Sequence, residues 1–360
     1  SIVASDIELD QAEGFGTARH VRLEVLDAPV FYWPYITFPI DDRRKTGFLY
    51  PQFGSSSAGS GAYLALPYYL NLAPHYDATL TPQYIHGRGL FTEVEGRYLS
   101  QYGESVLQLG YIDNDSAFRD ENPGENGERW ALDFTTRAAF GGGWSGYGDY
   151  SVISDEDYLS DLNRSLEIDQ ATHLQRRGGV RYYGANQYFE TYLSGYQTIP
   201  DRIADVDKPY AQLPEVIYGG SLEAGWLEAS LESQYTWFYR DNENLTGLDK
   251  ANGQRLRAIP ELALPMRALW GFSRPSVSLD YTRYELDDYT LGDAGFDRTV
   301  PVFEWDNGLY FDRRSSLFDV PYNQTLEPRL YYAWADAESD QNYIPDFDTG
   351  IRSFRFDQLF

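Results

Sequence analysis

Asp77-Ala78-Thr79-Leu80-Thr81-Pro82-Gln83-Tyr84 is the stretch that decides the fold. Its odd positions are polar and its even positions apolar, so successive side chains go to opposite faces of an extended strand. The same two-residue rhythm returns along the whole chain, separated by polar, Gly-rich or acidic stretches. Repeated this often, it predicts a large antiparallel sheet with one face toward lipid and the other toward water. Aromatic residues make up 16% of the 360, with 31 Tyr and 8 Trp, and these two suit a membrane interface because one end is apolar and the other polar. Mean hydropathy is −0.50, and no apolar run approaches the ~18 residues of a membrane helix. A barrel hides its membrane face in alternate positions, so this low value is compatible with one. On composition alone a soluble all-β protein competes equally.

Cysteine is absent, which excludes a disulfide framework or thiolate metal site in this segment. A net charge of −26 argues against a nucleic-acid partner, whose phosphates it would repel. The acids gather in loop-like stretches such as Asp113-Asn114-Asp115 and Asp155-Glu156-Asp157, read as solvated loop tips or as outer loops near divalent cations. The four histidines (His20, His75, His86, His173) lie far apart in sequence and show no metal-ligand spacing. No nucleophile elbow, phosphate loop or dinucleotide fingerprint occurs. No catalytic residue, metal ligand or cofactor is assigned. The start, Ser1-Ile2-Val3-Ala4-Ser5-Asp6, is not a signal peptide, and the chain reads as a fragment.

Residues 1–47 differ from the rest. Val21, Leu23 and Val25 alternate with Arg22 and Glu24 in a half-buried strand, and a second extended run starts at Val30. Pro34 and Pro39 oppose a central position for that run. So few strands cannot enclose a core, and they read as the end of a β-domain. Asp41, Asp42, Arg43, Arg44 and Lys45 then form a dense mixed-charge linker or hinge. From 48 to 360 about fifteen strands follow, many near the ~10 residues that cross a bilayer. Tight turns (Gly87-Arg88-Gly89, Tyr102-Gly103-Glu104, Gly141-Gly142-Gly143, Gly184-Ala185-Asn186) alternate with long loops, the habit of outer-membrane barrels. Helical spacing of Leu159, Leu162 and Leu166 predicts a short helix in the 154–171 loop, and a phase slip near Trp226 predicts a bulge. Pro51 and Pro67 fall inside the first two strands. Having no N–H for the ladder, they predict a weak seam unless they sit at strand ends or bulges.

Three stretches carry a resemblance: Phe31-Tyr32-Trp33-Pro34-Tyr35, the run from Phe38-Pro39-Ile40 through Thr46-Gly47-Phe48-Leu49, and Leu66-Pro67-Tyr68-Tyr69-Leu70-Asn71-Leu72-Ala73-Pro74-His75. With Arg97-Tyr98-Leu99-Ser100 and Gln324-Thr325-Leu326-Glu327-Pro328-Arg329, they resemble the LPS-assembly family LptD over essentially the whole chain. The resemblance implies an all-β fold: part of a larger transmembrane antiparallel β-barrel (48–360), preceded by the last strands of a periplasmic β-jelly roll and a hinge (1–47). It implies lipopolysaccharide transport to the outer leaflet of the Gram-negative outer membrane, without enzymatic activity. It implies LptE as plug lipoprotein, LptA as periplasmic bridge, the barrel-assembly machinery during biogenesis, and contact with membrane lipids. In its terms Pro51 and Pro67 mark a lateral gate, and Val21, Leu23 and Val25 are candidates for the lipid groove. The family's remaining strands and its disulfide cysteines are missing from this stretch. A diffusion porin or receptor barrel remains the alternative, and a lipid-modifying barrel enzyme a third class.

Overall fold

The computed structural model describes residues 2–25, 28–41, 43–56, 61–162, 172–200, 203–318, 320–336 and 342–348. They fall into two compact units, Ser1–Ala138 with Gly148–Leu174, and Ala139–Tyr147 with Gln175–Phe360.

The first unit opens with a four-stranded sheet: β1 (Ile2–Val3), β2 (Asp6–Asp10), β3 (Phe15–Val25) and β4 (Ala28–Pro39). β1, β2 and β4 all pair with β3, each antiparallel. Pro34 and Pro39 both lie in β4, whose partner among the described residues is β3. A residue without an N–H cannot serve a ladder on both sides, so β4 suits the edge. Ala18 and Val21 of β3 are buried.

A second sheet follows in the same unit: β5 (Gly47–Phe48), β6 (Gln52–Ser56), β7 (Gly61–Ala65), β8 (Tyr68–Ala73), β9 (Tyr76–Ile85), β10 (Gly89–Ser100), β11 (Gly103–Ile112) and β12 (Arg129–Gly141). β13 (Trp144–Ile153) comes next, and both β12 and β13 have residues in each unit. The neighbours from β9 to β12 are antiparallel and in unbroken register. Burial along them is inverted relative to a water-soluble protein. In β9, Asp77 and Gln83 are each 4% exposed, whereas Leu80 and Tyr84 are 38% and 58% exposed. Each strand repeats the scheme: Glu93 in and Leu90 out, Gln108 in and Leu107 out, Asp133 in and Trp130 out. Water outside would reverse this arrangement; hydrocarbon outside requires it. Tyr76, Tyr98 and Tyr102 ring the outer face near one end, and Tyr84, Tyr111 and Trp130 near the other. From Tyr76 to Tyr84 a strand rises ~26 Å, or ~20 Å along the membrane normal at barrel tilt, close to the height of an apolar band between aromatic girdles.

The second unit continues with β14 (His173–Tyr183, from Gln175 onward), β15 (Gln187–Thr198), β16 (Ala211–Ala224), β17 (Leu227–Tyr239), β18 (Asn252–Ala263), β19 (Met266–Ala268), β20 (Gly271–Asp287) and β21 (Gly295–Leu309). β22 (Phe311–Leu317), β23 (Val320–Leu326) and β24 (Arg329–Ala335) complete it. The same inversion holds: Glu215 and Thr236 are buried while Leu213 and Trp237 are exposed. The break in apolar phase near Trp226 is a turn and not the expected bulge. Ala224 pairs with Leu227, and Gly225 takes the left-handed φ of +65° that a two-residue connection demands. Residues 313–317 and 320–324, which show little alternation, also pair. Gly308 faces Arg329, Phe311 faces Leu326 and Leu317 faces Val320, so one register runs from the β21–β24 pair into the β22–β23 hairpin.

Candidate functional site

The first two strands of the large sheet are each broken at a proline. Gly47 pairs with Tyr69 and Phe48 with Tyr68, and the Leu49 N–H donates to the Pro67 carbonyl at 2.9 Å. In an antiparallel ladder such a pair exchanges two bonds. Pro67 has no N–H to return to Leu49, so one bond between the strands is missing. Beyond it, Gln52 pairs with Ala65. Tyr50 and Pro51 therefore stand opposite the single residue Leu66, which is a β-bulge. On its other side Leu66 still donates to the Pro82 carbonyl at 3.0 Å, and the pairing with β9 keeps one register across Pro67. The weakness thus lies between the first and second strands. Pro67 is buried and Pro51 half-buried.

The 41–45 segment feeds this hairpin. Arg43 binds Asp41 through its guanidinium at 2.8 Å and also donates to the Ala12 carbonyl at 3.0 Å. The Arg43 side chain, then its backbone N–H, holds the Asp41 carboxyl below the usual carboxylate range. Arg44 ties the segment to the large sheet: its Nη1 lies 2.7 Å from Asp77, which also accepts from Arg97 at 2.8 Å and from the Tyr69 hydroxyl at 2.9 Å. Asn71 reinforces the joint by donating to the Arg44 carbonyl and to Thr46 Oγ1, each at 2.9 Å. Within the stretch read as a linker or hinge, Arg43 and Arg44 are thus each engaged in an ion pair. Asp42 lies outside the described residues, as do the side chains of Leu23 and Val25. Of the groove candidates, Val21 is seen to be buried, at 6% exposure.

The loops at the far end of β9–β13 are folded together by a buried charge network. Arg129 is wholly buried and donates to Asp115 at 2.9 Å, Asp161 at 2.9 Å and Asp155 at 2.7 and 2.9 Å. Arg88 joins it through Asp115 at 2.7 Å and Asp161 at 3.0 Å. The Arg129 guanidinium also lies 4.4 Å from the centroid of Phe118. Two short helices position these groups. In α1 (Ser116–Glu121), Asp115 is the N-cap and accepts from the Phe118 N–H; α2 (Tyr158–Asp161) carries Asp161 and buries Tyr158 and Leu159. This shortened helix answers the expectation for the 154–171 loop, though Leu166 is outside the described residues. The reading of these acids as solvated tips does not hold for Asp115, which is fully buried as a partner of two arginines. Gly87-Arg88 is a tight turn, but it lies on the long-loop end and puts Arg88 into this network. The signal available in sequence was an arginine at the strand–loop junction of an otherwise acidic region.

The second unit closes its loops differently. Phe347 stacks on Phe238 at 4.4 Å between centroids, among Tyr210, Tyr284 and Leu286. Arg255 holds Asp348 through two bonds of 2.6 and 2.7 Å, and Arg240 gathers the Val206, Lys208 and Asp249 carbonyls. At the surface Lys208, then Asn244, hydrogen-bonds Asp205 and keeps that carboxyl below its usual range.

Neighbour-to-neighbour antiparallel pairing, an apolar outside over a polar inside, and long folded loops at one end define the class of outer-membrane β-barrel proteins. Comparison with known families narrows this. Residues 127–360 match the family described as LPS transport system D, and residues 17–135 match a second model described as LptD protein. The chain is 49% identical over 363 residues to the LPS-assembly protein LptD of Hahella chejuensis, covering 100% of this chain and 45% of that protein. It is 36% identical to the LptD of Pseudomonas aeruginosa strain UCBPP-PA14, over 100% of this chain and 42% of that one. For the Chromohalobacter salexigens LptD the identity is 37%, over 99% and 46%. The chain belongs to the LptD family, and it spans less than half the length of these relatives. Among solved structures, Pseudomonas aeruginosa OpdL aligns at a TM-score of 0.22 and 10% identity, over 79% of this chain and 95% of that one, too weak a likeness to bear on the fold.

Proposed function

We propose that the protein carries lipopolysaccharide into the outer leaflet of the Gram-negative outer membrane. The carrying observation is the register break at Pro51 and Pro67 in the first strands of an LptD-family barrel sheet. In this reading residues 1–47 are the end of a periplasmic jelly roll and its hinge. Val21, Leu23 and Val25 line its lipid groove, and residues 48–360 form the first part of the barrel. Sugar needs a polar route, which the inner face of Asp, Glu, Gln and Arg residues supports. Acyl chains need an apolar one. A seam already short of hydrogen bonds opens at lower cost than an intact ladder, because each unmade backbone bond in hydrocarbon costs several kcal/mol. In this reading direction comes from upstream machinery. LptE as plug, LptA as donor and the barrel-assembly machinery as foldase are the partners this reading takes. A diffusion porin has no use for a proline-bulged first hairpin joined to a second β-sheet.

Photocrosslinking in cells tests the reading in the full-length protein. A photoreactive residue at Val21 and, separately, at Phe53 or Leu66 is expected to capture lipopolysaccharide in an ATP-dependent manner. Capture at Val21 without capture beside the prolines would remove the gate and leave the transporter. Capture at neither place would return the protein to the porin class.

A further inference from the structure

A cleft of about 360 Å³ opens where the small sheet hands the chain to the first barrel strand. Among the described residues that line it, four are cationic (Arg43, Arg44, Lys45 and Arg97) and one, Asp41, is acidic. This is an unusual concentration in a chain with 55 acidic and 29 basic residues. Three of the cations have carboxylate partners: Arg43 with Asp41, and Arg44 and Arg97 with Asp77. Lys45 has no carboxylate partner among the described residues. Its Nζ lies 4.2 Å from the centroid of Phe15, held over the ring face by cation–π attraction. Beside these cations stand Phe48 and Leu49, 51% and 44% exposed, from the strand that leads to the bulge. The cleft therefore joins a positive floor to an apolar wall, and it is large enough for a headgroup and too small for a whole lipid.

We infer that this cleft binds the phosphate group of an anionic amphiphile as it passes from the small sheet to the first hairpin, with Lys45 as its principal partner and Arg43, Arg44 and Arg97 setting the surrounding field. The inference rests on the transport reading and adds to it a recognition step for charge. A tetrahedral oxyanion suits an ammonium with no carboxylate partner among the described residues, flanked by guanidiniums that are already paired. The apolar wall takes the chains that a free phosphate lacks. Exposure of the arginines, near half for each, lets a ligand enter without breaking their existing pairs.

The test uses purified full-length protein in detergent with a photoreactive phenylalanine analogue at Phe48. The probes are bisphosphorylated lipid A, the same lipid without its phosphates, and inorganic phosphate as competitor. The expected result is capture of the phosphorylated lipid about five- to tenfold above the dephosphorylated form, the size of one charge-assisted contact discounted for exposure. Lys45→Gln is expected to remove most of that difference, with heat-modifiable migration as the check on folding. Equal capture of both lipids by the wild-type protein needs no variant to interpret. It overturns the phosphate site and leaves transport standing. Capture at Val21 but not at Phe48 does the same. Strong protection by millimolar inorganic phosphate, with both lipids equal in its absence, would make this a free-phosphate site and also overturn the inference. Capture at neither position would overturn the transport reading itself.

Discussion

Replacing Arg129 by Gln should release the loops over the first unit. The arginine makes four charge-assisted bonds to Asp115, Asp155 and Asp161 and has no exposed surface. Removing one partner of a buried ion pair costs about 3–5 kcal/mol, because the charges left behind stay buried and uncompensated. Here the lower end applies. Asp155 and Asp161 are 19% and 16% exposed and can regain water, and Arg88 continues to serve Asp115 and Asp161. About 3 kcal/mol corresponds to a rise of roughly a hundredfold in the equilibrium for loop opening. Hydrogen exchange of the full-length protein in detergent measures this directly in peptides covering 113–128 and 154–162. Peptides from the 240–251 loop, held by Arg240 and not by this network, serve as the internal control. Arg129→Lys should recover only part of the protection, since a single ammonium cannot address three carboxylates with the geometry of a guanidinium. Exchange within threefold of wild type in Arg129→Gln would show that the network does not hold the loops.

Pro67→Ala supplies the donor missing opposite the Leu49 carbonyl. One added ladder bond is worth about 1 kcal/mol, so exchange in the first hairpin should slow about fivefold and lipid delivery should fall; unchanged exchange there would mean the bulge at Pro51 alone sets the weakness. Arg44→Gln breaks a half-exposed pair and should cost about 1 kcal/mol or less in thermal unfolding. Asp77→Asn loses ionic contact with both Arg44 and Arg97 and should cost about 2–3 kcal/mol, so equal losses would argue against Asp77 as the node. Packing of the loop, then Asp161, Glu156 and Asp155, pushes the Asp157 carboxyl above its ordinary value. Its ionised form is therefore disfavoured in the folded loop, and the wild-type loop should gain protection as pH falls through the window just above the usual Asp range. Asp157→Asn should already show that gain at about pH 7 and lose its advantage near about pH 4; an advantage constant across this range would refute the assignment.

Alternation by itself determined that this protein is a sheet with an apolar face and a polar face. That choice is made one residue at a time, and the burial of Asp77 and Gln83 beside the exposure of Leu80 and Tyr84 follows it. Proline chemistry was equally local: a missing N–H at residues 51 and 67 is a property of the residues. Which bond goes missing was a matter of tertiary structure, because it depends on whether Pro67 faces Leu49 or the β9 strand. Only pairing across the turn could show that Trp226 sits in a connection, or that 311–317 and 320–326 continue the register of β21 and β24. The loop network was least legible. Arg88, Asp115, Arg129, Asp155 and Asp161 come from four separate stretches with no periodicity to connect them. The same acidic residues would stand in water on an open loop; they are buried here because two arginines at strand ends reach them, and that is decided by how the strands bring their ends together.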